Sequence, residues 1–98
     1  MEVTFRDANL DRLEIDAAFD GGYPPSVVRA FRMRIQAIRD AMDERAFYAL
    51  KSLHFEKLKG NRDHQHSMRL NKQWRLILEL QGQAQEKVIC VISIEDYH

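Results

Sequence analysis

A single cysteine, Cys90, leaves the chain no way to build an internal disulfide framework. That suits a reducing compartment, and Cys90 sits in an apolar run where a thiol behaves as a small buried hydrophobe. The four glycines lie too far apart to form G-x-x-x-x-G-K, so nucleotide-dependent chemistry is not expected. No G-x-S-x-G elbow is present for a serine hydrolase. Neither HExxH nor a cysteine cluster accompanies the histidines. His64-Gln65-His66 would put two ligand-capable residues on one face of a strand, but the nearest carboxylate is Asp63, so no metal or cofactor is expected. No apolar run approaches the ~20 residues of a membrane helix, and the N-terminus lacks the basic and apolar regions of a signal peptide. The expectation is a cytoplasmic protein without a membrane partner.

Net charge is also absent, with 15 Lys/Arg against 15 Asp/Glu, but it is unevenly spread. Residues 1–50 carry seven basic against nine acidic side chains. Residues 51–75 carry seven basic ones against only Glu56 and Asp63, together with His54, His64 and His66. Such a local excess can attract phosphate even on a neutral chain. The alternative is a solvated basic face with no partner.

Ninety-eight residues suffice for one domain with one modest core. Val3 and Phe5 alternate with Thr4 and Arg6 as a short strand. Asp7 can cap a first helix in which Leu10, Leu13 and Ala17 recur at helical spacing before Gly21-Gly22 stops it. After Pro24-Pro25, the positions Val28, Phe31, Ile35, Ile38 and Met42 form one apolar helical stripe. Asp43 to Leu50 offers a short third helix capped by Asp43. Beyond Leu53 the period changes. Phe55 to Lys59 reads as extended, Gly60-Asn61-Arg62-Asp63 as a turn, and His66 to Leu70 as a half-buried strand. Asn71-Lys72 links it to Trp74–Leu80 as a hairpin, Gln81-Gly82-Gln83 makes the next connection, and Lys87 to Ile94 supplies the last strand. The fold class is α+β: two to three N-terminal helices packed on one face of an antiparallel sheet.

That last strand drives into Glu95-Asp96-Tyr97-His98, two acids, a phenol and an imidazole on a rigid support. A polar tail that merely solubilises the terminus is the alternative. Basic residues joined to such groups suit RNA cleavage without a cofactor. A base takes the ribose 2′-OH proton, cations stabilise the negative phosphorane, and an acid protonates the leaving 5′-oxygen. Arg75 is the favoured phosphate ligand, because its planar fork matches two phosphate oxygens. An ion pair with Glu79 or Glu95 is the competing reading. Trp74 can stack on a base or simply fill the core.

Three segments carry a family resemblance. Leu58-Lys59-Gly60-Asn61-Arg62, then His66-Ser67-Met68-Arg69-Leu70-Asn71-Lys72-Gln73-Trp74-Arg75-Leu76, then the terminal Asp96-Tyr97-His98 resemble the HigB-type toxins, the plasmid maintenance killer proteins of the RelE/ParE superfamily. The family pattern runs approximately L-K-G-D-R, S-I-R-I-N-x-Q-W-R-I and D-Y-H. The match covers most of residues 54–98, and the helical half agrees in length and layout. The resemblance implies a compact RelE-like domain and ribosome-dependent, metal-free cleavage of mRNA. It also implies neutralisation by a HigA-like helix-turn-helix antitoxin, through which alone operator DNA would be reached.

Carried over by position, the catalytic set is Asp96, Tyr97, His98, Lys59 and Arg75. RNA contacts are expected from His54, Lys57, Arg62, Arg69, Lys72 and Trp74. Two departures stand out. Some members have H-P-L-K where this chain reads His54-Phe55-Glu56-Lys57-Leu58-Lys59, so His54 corresponds only across a two-residue insertion and Lys57 is its alternative. Asn61 replaces the usual aspartate. Within the same fold, two readings without cleavage compete: a gyrase-inhibiting module like the ParE branch, or a degenerate toxin that acts mainly as co-repressor with its antitoxin. The D-Y-H terminus favours the cleaving branch.

Overall fold

A computed structural model describes residues 1–82 and 86–97. Strand β1 (Glu2–Phe5) leads into helices α1 (Ala8–Ile15), α2 (Pro25–Asp40) and α3 (Arg45–Ala49). Strands β2 (Glu56–Lys57), β3 (His66–Arg69), β4 (Trp74–Gln81) and β5 (Val88–Asp96) follow, with short 3-10 turns at Lys51–Leu53 and Gly60–Arg62. The sheet runs in the order β1-β5-β4-β3-β2. Its last four strands form the expected antiparallel meander. The first strand returns to lie parallel to the last, with Glu2 opposite Val88 and Phe5 opposite Val91.

Local chemistry sets the helix limits. The Asp7 carboxylate accepts the Asn9 amide at 2.7 Å and opens α1. The expected run to Ala17 ends early, at Ile15, because Asp16 turns its carboxylate onto the Ala18 amide at 3.0 Å and leaves the helical path. Val27, Val28, Phe31, Ile35 and Ile38 form the buried stripe of α2. Met42 is not part of it. Ala41 turns extended, and Met42 lies beyond the helix, 95% exposed. Glu44 rather than Asp43 is the cap residue of α3, although the Asp43 carboxylate does accept the Arg45 amide. Of the extended segment expected over Phe55–Lys59, only Glu56 and Lys57 pair as strand. Gln83 lies outside the described residues.

The helices cover one face of the sheet. Phe31, Ile35, Ile38 and Phe47 meet Met68, Leu76, Leu78, Ile89, Val91 and Ile94 in one core. A register shift between Ile77 and Leu78 places Ser93 opposite Ile77 and Val91 opposite Leu78, so Ile92 has no direct partner. Cys90 is half-buried rather than fully enclosed. The face turned away from the helices is polar. Arg69, Arg75 and Glu95 form one row across three strands, and Ser67, Ile77 and Ser93 form the next.

Candidate functional site

Strand pairing puts Arg69 directly beside Arg75, a like-charge juxtaposition that costs stability unless anions or acceptors surround it. Arg75 meets that need through one nitrogen. Its Nη2 donates to Glu56 Oε1 at 2.7 Å, Ser67 Oγ at 2.8 Å and the His54 carbonyl at 3.1 Å. Its Nε is buried and has no partner. The competing expectation of an ion pair with Glu79 or Glu95 gives way to one with Glu56. The short strand β2 places Glu56 opposite Ser67, on the same face as Arg75.

His54 holds the neighbouring corner. It ends the Lys51–Leu53 turn at φ +47, a left-handed conformation that strains a residue bearing a Cβ. This geometry points its carbonyl at Arg75 and sets its Nε2 3.1 Å from Arg69 Nη1. Arg69 also donates to the Asn71 carbonyl. On the other flank, Arg62 forms a two-point pair with Glu95 at 2.9 and 3.1 Å. Burial pushes the Glu95 carboxyl up, but bonds from Arg62 and the Ser93 hydroxyl outweigh it and hold Glu95 below its ordinary value. The bonds to Glu95 raise Arg62 in turn.

Strand alternation divides the terminal tip between the two faces of the sheet. Tyr97 comes to the polar face, its ring centre 5.7 Å from Arg75 Cζ. Asp96 pairs opposite Trp74, toward the helices, where Gln73 Nε2 donates to its carboxylate at 2.9 Å. The Gln73 carbonyl accepts the Tyr97 amide at 2.6 Å. Gln73 therefore clamps both residues to the β3–β4 hairpin. His98 lies outside the described residues.

The remaining sequence candidates spread out. Trp74 packs edge-on against Tyr23 at 5.8 Å, on the side away from Arg75. Lys57 lies opposite His66, also toward the helices. Lys59 is exposed at the start of the Gly60–Arg62 turn, and Lys72 is exposed in the β3–β4 hairpin. His64 and His66 do not share a strand face. His64 precedes β3 and lies 3.7 Å from Glu79, whereas His66 stacks on Phe55 with ring centres 4.8 Å apart. Among the described residues no three His, Cys, Asp or Glu side chains group as a metal site. Glu56, Ser67 and Gln73 were not among the residues singled out from sequence. The alternation of β3 carried a signal for Ser67, but a two-residue strand has too short a period to announce Glu56.

A guanidinium pair on a polar sheet face, flanked by a histidine and a terminal tyrosine, is a layout for binding an anion beside proton-transfer groups. The sequence profile described as "RelE-like toxin of type II toxin-antitoxin system HigB" matches residues 3–98. The chain belongs to this family of HigB-like toxins. No curated protein sequence matches the chain. Among solved structures, the YoeB/ParE toxin from Agrobacterium tumefaciens superposes over 100% of both chains with a TM-score of 0.65 and 18% identity. YafQ from E. coli strain BL21(DE3) superposes over 97% of this chain and 91% of its own, with a TM-score of 0.58 and 8% identity. At these identities the two structures share the fold with the HigB-like chain. Membership of a type II system implies an antitoxin partner. No described helix is long and apolar enough to cross a membrane.

Proposed function

We propose that this HigB-like toxin is a ribosome-dependent mRNA endoribonuclease of the cytoplasm, neutralised by a HigA-like helix-turn-helix antitoxin and folded as one domain over residues 1–98. The observation that carries this reading is the immobilised Arg75 guanidinium with Arg69 beside it and the Tyr97 ring against it. In the reaction the ribose 2′-oxygen attacks phosphorus and the bond from phosphorus to the 5′-oxygen breaks. The 2′-OH proton passes to a base and the leaving oxygen takes one from an acid. Tyr97 and His98 are assigned to proton transfer. Arg75 and Arg69, with Lys59 as a further cation, balance the phosphorane charge. Asp96 acts by position, because its bond to Gln73 fixes the hairpin that holds the Tyr97 backbone.

The test is cleavage of mRNA on programmed ribosomes, with chelator present, by the wild type, Arg75→Gln and His98→Ala. Wild-type cleavage reduced by about 100-fold or more in each variant is the expected result, the loss typical of a removed charge-stabilising donor for Arg75 and of a removed proton-transfer group for His98. No cleavage by the wild type, with antitoxin binding intact, would replace this reading with a non-cleaving module of the same fold.

A further inference from the structure

Two arginines of the polar face, Arg62 and Arg75, are each held by a carboxylate, but the two pairs are built differently. Arg62 and Glu95 are joined at two points and buttressed by Gln65 on one side and Ser93 on the other. Glu56 touches Arg75 through a single oxygen. Its side chain is 65% exposed, against 12% for Arg75. It also stands on β2, a two-residue strand at the edge of the sheet, paired on one side only. Arg75, by contrast, stays anchored by Ser67 and the His54 carbonyl when Glu56 leaves. The acid can swing into water while the arginine stays in place.

We propose that Glu56 is a displaceable stand-in for the scissile phosphate, a specificity-determining residue that confines cleavage to RNA already held by another surface. This rests on the cleavage reading of the same site. A phosphate reaching Arg75 must replace one anion with another, so an RNA arriving alone gains little from the exchange. An RNA fixed nearby presents its phosphate at high effective concentration and wins the competition. The buried, unpartnered Arg75 Nε adds a second donor that Glu56 leaves unused and that a phosphate oxygen can claim.

The experiment measures binding of a fluorescent single-stranded 2′-O-methyl oligoribonucleotide, which cannot be cleaved, in the absence of ribosomes. Wild type, Glu56→Gln, Arg75→Gln and the double variant are compared, with circular dichroism as a check on folding. Glu56→Gln should bind about five-fold more tightly than wild type, the equivalent of one partly exposed ion pair. The double variant should show no gain over Arg75→Gln. Arg75→Lys replaces Arg75→Gln in the cycle if the latter does not fold. A Glu56→Gln protein that holds free RNA no better than wild type overturns the proposal. So does an equal gain with Arg75 removed, which marks a diffuse charge effect. Cleavage on ribosomes by a wild type whose Glu56→Gln variant gains nothing retires the stand-in and leaves the nuclease. An Arg75-dependent gain without cleavage on ribosomes retires the nuclease, overturns the phosphate's being scissile, and leaves Glu56 as a stand-in for a bound phosphate only.

Discussion

Arg75 owes its position to His54, a residue that accepts backbone strain to point a carbonyl at the guanidinium and a ring at Arg69. A left-handed residue with a Cβ costs about 1–2 kcal/mol, which glycine avoids at some cost in unfolded-state entropy. His54→Gly should therefore hold or slightly raise the melting temperature while lowering cleavage, since the ring beside Arg69 is lost. A thermal scan paired with the ribosome assay checks this, and a fall in both would make His54 an ordinary structural residue. The sequence marked His54 as a candidate through its basic surroundings and a family motif displaced by two positions. Its backbone conformation carried no sequence signal, because left-handed geometry announces itself only through glycine or asparagine.

At the scale of elements, the apolar periods located the helices and the β3–β4 hairpin, and missed where polar side chains end them. Arg32 is the clearest case. It lies off the apolar stripe of α2, yet its Nε donates to the Leu13 carbonyl and its Nη2 to those of Asp16 and Phe19, at 3.0–3.1 Å. The last carbonyls of a helix have no partner within it, and here a neighbouring helix supplies the donors. Arg32→Met keeps the aliphatic stem and removes those donors. It should cost about 2 kcal/mol by urea unfolding, the penalty of stranded, partly buried acceptors. Binding of RNA should not change, since the α1–α2 contact lies on the helical side of the sheet. The terminal tip teaches the same lesson in strand form. Asp96 and Tyr97 are neighbours in sequence, but Asp96 closes β5 opposite Trp74 while Tyr97, just past the strand, turns to Arg75 on the other face.

Across the whole molecule, the return of β1 to pair with β5 was the least legible feature, because a parallel pairing between residues 86 positions apart leaves no local pattern. The core and the polar face instead lose stability in separate steps of titration. On the core side, burial and then nearby Lys57 depress His66 below its ordinary 6.5. The unfolded chain therefore takes up this proton first, so stability is full above about pH 6.5 and falls as the pH drops below it. On the polar side, Glu95 is held below 4.5 by Arg62, so its contribution is present above that value and fades at lower pH. Asp43, held at about 2 by bonds from Arg45, titrates in the same lower step. Melting temperature should thus fall in two stages on acidification. His66→Phe, which keeps an aromatic ring against Phe55, should remove the stage between pH 7.5 and 5.5 and leave the one below pH 4.5. Melting curves at pH 7.5, 5.5 and 3.5 decide it, and an upper stage that survives the substitution assigns that proton to another group.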